Sequence, residues 1–367
     1  MKKTKERKEF LGLLHQWYMH TLDTWGEMWI ANLRHNAPQM KHTIREFRTG
    51  KQETCLIFAP GASLTQYEQR IKELRDNRNF YIVGTPTPLK WMMAHGLSPD
   101  CLVVADSQPA QYNLIKDSRW RGQILAPITT TPQIGREYDP VYWFNVKHSK
   151  PGFTPIQDMV SETQYPELPR FPSVSCVTNV ALQLMMHATR MGRTAFKRYV
   201  LVGTDYGYWR GMPRVPNGLH TAEIPQNDLI EIDGRQTNYN MAFYKERLYM
   251  LLLGNPEAMV YTLSDGILTE LRHLSYQQLR METYPPQLPL AQLQEAYRKY
   301  LLETMPGVLI PAMKIKRPAF RELVKQWLSG GELHGRQESE ERDDGGAAGD
   351  NGAGDPAGSA VPLDADT

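Results

Sequence analysis

The chain has 367 residues, with 42 basic and 40 acidic side chains and a net charge of +2. Hydrophobic residues make up 41% of it, enough for a globular core, and no run reaches the ~18 consecutive apolar residues of a membrane span. Three cysteines, Cys55, Cys101 and Cys176, are odd in number and widely spaced, which excludes a disulfide framework and a cysteine zinc site.

The first eight residues carry five lysines and arginines, and no apolar signal core follows them. A protein made and kept in the cytoplasm is therefore expected. Charge is unevenly placed. From Gly331 onward ten acidic residues face two basic ones, a net of −8, whereas the first 330 residues carry 40 basic and 30 acidic, a net of +10. A basic body suits an anionic ligand such as a nucleotide, and nothing favours nucleic acid over it.

Residues 1–53 show Phe10, Leu11, Leu14, Trp17, Tyr18, Leu22, Trp25, Trp29 and Leu33 at helical spacing. The stripe is rich in aromatic residues, and a helix packed on the main domain is the expected reading.

From Thr54 to Tyr261 strands alternate with helices. Strands are expected at Cys55–Phe58, Phe80–Gly84, Cys101–Ala105, Gln123–Ala126, Val141–Val146, Tyr199–Val202 and Met259–Thr262. Helices are expected at Thr65–Asp76, Pro88–His95, Cys176–Met191 and Asn238–Leu253. This alternation predicts an α/β fold, a Rossmann-like, mostly parallel sheet with helices on both faces. Residues 206–237 hold three prolines and little periodicity and read as a long loop.

Four segments follow from this reading. Residues 1–53 are a helical N-terminal segment and 54–263 a nucleotide-binding domain. Residues 264–330 are a loop with C-terminal helices at Leu290–Glu303 and Pro318–Leu328. Residues 331–367 are a disordered acidic tail, too poor in large apolar side chains to fold.

In an open parallel sheet, ligands bind beyond the carboxyl ends of the strands. Polar and glycine residues gather at these exits: Pro60-Gly61-Ala62-Ser63, Gly84-Thr85, Asp106-Ser107-Gln108, Asn145 with His148, and Gly203-Thr204-Asp205-Tyr206-Gly207-Tyr208. Any one such cluster is common turn chemistry; their repetition predicts a pocket. The strand, glycine turn and amphipathic segment at residues 54–74 would present backbone N–H groups to a phosphate without a basic side chain. Gly61 either permits the tight turn or opens that site, and Ser63 caps the following helix. Ser173 and Ser175 precede the helix at Cys176 and are capping candidates. Asp106 and Asp205 either cap turns or bind ligand. Tyr206 and Tyr208 are core edges or phenol donors to a leaving phosphate. His220 has the right chemistry for acid/base work. Cys55 and Cys101 sit in apolar runs and read as inert buried thiols. Walker A, GxGxxG, GxSxG and HExxH sequences are absent, which removes the commonest NTPase, dehydrogenase, hydrolase and zincin readings.

Four stretches in order carry a resemblance: CLIFAPGASL, FYIVGTPTPLKWMMAHGLSPDCLVVADSQP, SVSCVTNVALQLMMHATRMG and YVLVGTDYGY. Together they resemble the motility accessory factor and archaeal 6-hydroxymethylpterin diphosphokinase (MptE-like) family, and WIANLRHNAPQM resembles that family's segment just upstream of the first strand. A more distant likeness is to bacterial CMP-sialic-acid sialyltransferases. The resemblance implies a Rossmann-like transferase. Gly61, Ala62 and Ser63 would line the donor phosphate, and Thr85 and Asp106 would contact the nucleotide or substrate. Ser173 and Ser175 would sit beside the donor, and Asp205 and Tyr206 would lie close to the reacting centre. The chain departs from the family's Gly-Pro-Ser turn, and Pro60 removes one N–H from it.

Three functions compete. A glycosyltransferase would take a CMP-activated nonulosonic sugar, with His220 as base, Tyr206 or Tyr208 on the departing phosphate, and no obligatory metal. A diphosphokinase would move diphosphate from ATP to a pterin-like alcohol with Mg²⁺, held by Asp106 and Asp205. An interaction module would keep the fold without the chemistry. The expected partner is a nucleotide or nucleotide-sugar donor, with an unidentified acceptor.

Overall fold

The computed structural model describes residues 24–300, apart from 78, 149–155, 209–210 and 213–228. The expected helix at Pro318–Leu328, the acidic tail, the aromatic stripe before residue 24 and His220 lie outside the described residues.

Seven strands form where the apolar runs place them: β2 (Thr54–Phe58), β3 (Phe80–Gly84), β4 (Cys101–Val103), β5 (Gln123–Pro127), β6 (Val141–Lys147), β8 (Arg198–Val202) and β11 (Met259–Thr262). All are parallel, as expected of a sheet built by crossovers. Every residue of β2 and β3 is buried, because helical layers cover both faces of a parallel sheet. Alternate side chains of β2 feed two cores. Cys55 and Ile57 join Leu184, Met185 and Leu248 of α6 (Val177–Arg190) and α7 (Tyr239–Leu253). Leu56 and Phe58 join Leu64, Leu74, Trp91, Met92 and Tyr276 on the other face. Trp91 and Met92 come from α2 (Pro86–Ala94) and Tyr276 from the short α8 (Tyr276–Arg280). Cys55 and Cys101 are free and fully buried, and burial pushes both thiols well above their usual range.

The sheet runs β1-β6-β5-β4-β3-β2-β8-β11-β12, with β7 (Arg170–Pro172) beside β6. Its two outermost strands come from segments expected to carry only helix or loop. β1 (His42–Thr43) pairs with Tyr142 and Trp143, and β12 (Arg272–His273) pairs with Tyr261 and Thr262. Two-residue strands are too short to carry a period that sequence reading can detect.

Three further differences have local causes. The segment after β2 forms two 3-10 turns, Ala62–Tyr67 and Ile71–Leu74, instead of an α-helix over Thr65–Asp76. Its apolar residues still face the core, and a 3-10 turn satisfies that spacing over a short run. The expected loop 206–237 contains a hairpin, β9 (Leu229–Ile232) and β10 (Arg235–Asn238). Its turn residues Asp233 and Gly234 have φ of 50° and 72°, the two positive values a type I′ turn requires. Asp-Gly was the signal that could have revealed it. Three helices, α3 (Pro109–Asp117), α4 (Pro132–Glu137) and α5 (Ile156–Gln164), are short, polar crossovers. The C-terminal α9 (Leu290–Lys299) begins where expected.

The aromatic N-terminal stripe becomes helix α1, residues 24–36, in its described part. Ile30 and Leu33 are buried, as expected of a helix packed on the main domain. Two asparagines one turn apart pin it. Asn32 Nδ2 donates to the carbonyls of Ser107 and Thr129, and Asn36 Nδ2 to those of Ile128 and Thr130, at 2.7–3.1 Å. α1 is thereby fixed across the exits of β4 and β5. Among the described residues no helix is long and apolar enough to cross a membrane.

Candidate functional site

From β2 the chain builds outward through β3, β4, β5 and β6, then returns to place β8 on the other side of β2. The strand order therefore reverses between β2 and β8, which is where an open α/β sheet leaves a crevice. The two strands end level, Phe58 pairing with Val202. A cleft of about 730 Å³ opens over these ends. It is walled by the exits of β2, β4, β6 and β8, the first turn of α6, one side of α7, and Trp25 and Trp29 of α1. A second hollow of about 440 Å³ lies by Arg198, Met259 and Tyr284, at the opposite ends of β8 and β11.

At the reversal the two exit loops meet without room for a side chain. The Gly61 N–H donates to the Gly203 carbonyl at 2.6 Å. A Cβ on Gly61 would lie 2.3 Å from that oxygen and 2.5 Å from the Asp205 carboxyl. Gly203 itself has φ of 68°, a left-handed conformation that favours glycine. Gly61→Ala is thus expected to destabilise the protein by about 1–3 kcal/mol, the range of overpacking. Urea unfolding would measure it, and an unchanged midpoint would show that the loops separate freely.

Ser63 and Asp205 are brought together, 142 residues apart in sequence. The Ser63 N–H donates to Asp205 Oδ2 at 2.9 Å and its hydroxyl to Oδ1 at 2.5 Å. Ser63 therefore does not cap the segment that follows it; the Asp205 carboxylate does so from across the sheet. The backbone site that the sequence offered to a phosphate holds this carboxylate at Ser63, and the Gly61 N–H is engaged as well. Asp205 is 2% exposed. Burial raises its pKa to about 6 despite the two Ser63 hydrogen bonds, with Asp265 adding to the rise and Arg235 opposing it.

Thr85 is also buried, its hydroxyl donating to the Phe58 carbonyl at 3.0 Å; Thr87, two residues on in the first turn of α2, reaches the cleft instead. Ala62 is buried. Asp106 is exposed on the cleft wall, and its carboxylate accepts from the Gln108 N–H at 3.1 Å. Ser173 and Ser175 line the cleft but cap nothing: the N-cap position of α6 is Cys176, and Ser175 has φ of 76°. Cys176 Sγ lies 3.5 Å from the Tyr206 hydroxyl, and burial pushes that thiol up.

Tyr206 is turned inward. Its hydroxyl donates to Asn179 Oδ1 at 2.5 Å, and burial raises it well above the usual phenol range. Its carbonyl accepts from Thr237 Oγ1 at 2.6 Å, and the Tyr208 N–H donates to the Gln236 carbonyl at 2.9 Å, so the hairpin braces this exit loop. The Tyr208 hydroxyl accepts from Asn238 Nδ2 at 2.8 Å. In the same loop, Thr204 Oγ1 is buried at the cleft and has no hydrogen-bond partner among the described residues.

Cationic groups stand on two sides of the cleft, Lys147 at the exit of β6 and Arg247 on α7. His148, beside Lys147, is the histidine that lines the cleft among the described residues. Its N–H donates to Asp158 Oδ2 at 2.7 Å, its Nδ1 lies 3.6 Å from Asp158 Oδ1, and its ring stacks on Trp29 with centroids 4.7 Å apart. Asp158, on α5, is buried, and the Asn145–Ser161 hydrogen bond of 2.6 Å holds α5 to β6. The imidazole is thus placed at the cleft by the Trp29 stack, with a buried carboxylate behind it at ion-pair distance.

Residues 27–211 match the family model described as 6-hydroxymethylpterin diphosphokinase MptE-like. The chain belongs to the MptE-like family. The match starts within α1 and runs past the β8 exit, so it takes in Trp29, Ser63, Asp106, His148 and Asp205 but not the α7 wall of the cleft. No curated protein matches this MptE-like chain in sequence. Among solved structures it is similar to the MAf glycosyltransferase from Magnetospirillum magneticum AMB-1, with 16% identity and a TM-score of 0.51. That likeness covers 75% of this chain and 41% of the other, so the chain spans less than half of that protein's length, and what the two share is the fold.

Sequence reading reached the strand exits but missed the cleft's outer walls. Trp25 and Trp29 stand at i and i+4, the spacing that puts two side chains on one helical face. Asn32 and Asn36 repeat that spacing on the same helix. A polar pair in such register beside an apolar stripe is the signal that α1 clamps onto loops.

Proposed function

We propose that this MptE-like protein is a nucleotide-dependent transferase. The cleft at the reversal of strand order carries the reading, because nucleotides bind there in open α/β sheets. The buried, unpartnered Thr204 hydroxyl supports it, since such a group in a native fold calls for a ligand or water. So does the first turn of the 14-residue α6 on the cleft wall, together with Lys147 and Arg247.

The first reading is transfer of a CMP-activated nonulosonic sugar. The acceptor oxygen would attack the anomeric carbon as its bond to the CMP phosphate breaks. The acceptor proton would pass to a histidine and CMP would leave with the electron pair. His148 stands where the described geometry supports that role; His220 remains a candidate from sequence. The engagement of Asp205 by Ser63 favours this reading, because it leaves Asp106 as the exposed carboxylate on the cleft wall among the described residues. The second reading, diphosphate transfer from ATP to a pterin-like alcohol, is favoured by the family's likeness to a 6-hydroxymethylpterin diphosphokinase. Mg²⁺ in such chemistry is held mainly by phosphates and water with one or two carboxylates, and Asp106 would supply one.

Thermal unfolding with CMP, CDP, ATP and GTP, each with and without Mg²⁺, separates the readings. A ligand at about 100 times its dissociation constant stabilises the native state by about 2.7 kcal/mol. CMP is expected to raise the midpoint without metal. A rise with ATP only when Mg²⁺ is present would select the diphosphokinase. No rise with any nucleotide would remove both, leaving the interaction module.

A further inference from the structure

The cleft has one feature that phosphate binding does not use. Trp25 and Trp29 are both half-buried and both face into it from α1. The helix has other anchors: Ile30 and Leu33 supply buried apolar contact, and Asn32 and Asn36 tie α1 to four backbone carbonyls. Trp29 is further fixed by the His148 ring, parallel to it within 22°. Two large aromatic side chains are thus held by a tied helix on the wall of a cleft that also carries the first turn of α6 and Arg247. Such rings are flat, apolar faces with little conformational freedom left to lose, which is what a planar heteroaromatic ligand stacks on.

We propose that Trp25 and the Trp29–His148 stack form the ring subsite of the cleft, the place where the planar heteroaromatic part of the ligand, nucleobase or pterin, lies. The inference rests on the transferase reading above and deepens it by assigning the two ends of the ligand. The ring goes to α1 and the β6 exit, and the phosphate goes to the α6 side. α1 then acts as part of the binding site and not only as a packed N-terminal helix. The subsite reads a π-face, so it discriminates between ligands with and without a ring more strongly than between one base and another.

The test measures calorimetric affinities of the full-length protein and of Trp25→Leu, Trp29→Leu and Trp29→Phe. Its probes are CMP, ATP, a 6-hydroxymethylpterin and ribose 5-phosphate, a phosphate ligand without a ring. Trp29→Leu and Trp25→Leu are each expected to weaken the ring-bearing ligand about tenfold or more. Ribose 5-phosphate should change little, and Trp29→Phe should restore most of the loss. CMP or ATP responding identifies the ring as a nucleobase, and the pterin responding identifies it as the acceptor. Equal weakening of ribose 5-phosphate would mean that the tryptophans only hold the fold, and would overturn the subsite while leaving the transferase reading intact. So would affinities for the nucleotides and the pterin that all ignore both substitutions. Failure of every nucleotide and the pterin to bind the unsubstituted protein would overturn both readings together.

Discussion

His148→Gln is expected to lower the rate of transfer by about 10²–10⁴-fold, the usual worth of a positioned general base. The expectation comes from three contacts on one histidine, two of them on its ring. Asp158 accepts its backbone N–H at 2.7 Å and faces its Nδ1 at 3.6 Å, and Trp29 stacks against its ring. The side chain is 13% exposed and lines the cleft, so it is held by the protein and still reaches ligand. Loss of the base should appear as a fall in kcat larger than any rise in KM that loss of the stacked imidazole beside Trp29 brings. Asp158→Asn should act in the same direction with a smaller effect, since it disturbs the orientation of the imidazole and leaves the imidazole in place. Release of CMP from a CMP-sugar, or of AMP from ATP with a pterin, would measure either reaction. Full turnover by His148→Gln would move the base to another group, with His220 next to be replaced.

The second large effect concerns pH. The Asp205 carboxyl titrates near 6 in the fold against an ordinary value of 3.8, because burial disfavours its charge. Between these values the native state keeps a proton that the unfolded chain has released. The stabilisation this proton provides is complete below about pH 4 and is lost as pH rises through about 6. The step corresponds to roughly 3 kcal/mol. Asp205→Asn removes the titration. Relative to the unsubstituted protein, the variant should therefore gain about 3 kcal/mol between pH 4 and pH 7.5, whatever constant offset the altered Ser63 contacts introduce. Urea unfolding of both proteins across that range reads the difference in slope. A constant gap between them would show that Asp205 is ionised in the fold at pH 4.

Much of this protein is written locally. The runs Cys55–Phe58, Phe80–Gly84 and Tyr199–Val202 have to be buried strands, because nothing in them is polar enough to face water and glycine or polar turns bound them. Strands separated by crossovers then leave a parallel sheet with ligand chemistry at its carboxyl ends, and the seven expected strands appear there. What the sequence by itself determined is therefore the α/β class, the order of its strands along the chain and the end of the sheet that carries polar residues.

The tertiary structure decided which of those residues face a ligand and which face each other. Ser63 looks like a helix cap in sequence and Asp205 like a turn cap or a binding group, yet they close on one another from adjacent strand exits. Tyr206 looks like a phenol donor, yet it is drawn inward to Asn179. Trp29 looks like core, yet the Asn32 and Asn36 clamps turn its helix across the cleft to meet His148. Strand and helix propensities act over a few residues, whereas each of these pairings joins groups from 27 to 142 residues apart. Only the order of strands in the sheet, set by how both of its faces are buried, brings β8 beside β2 and so makes the cleft.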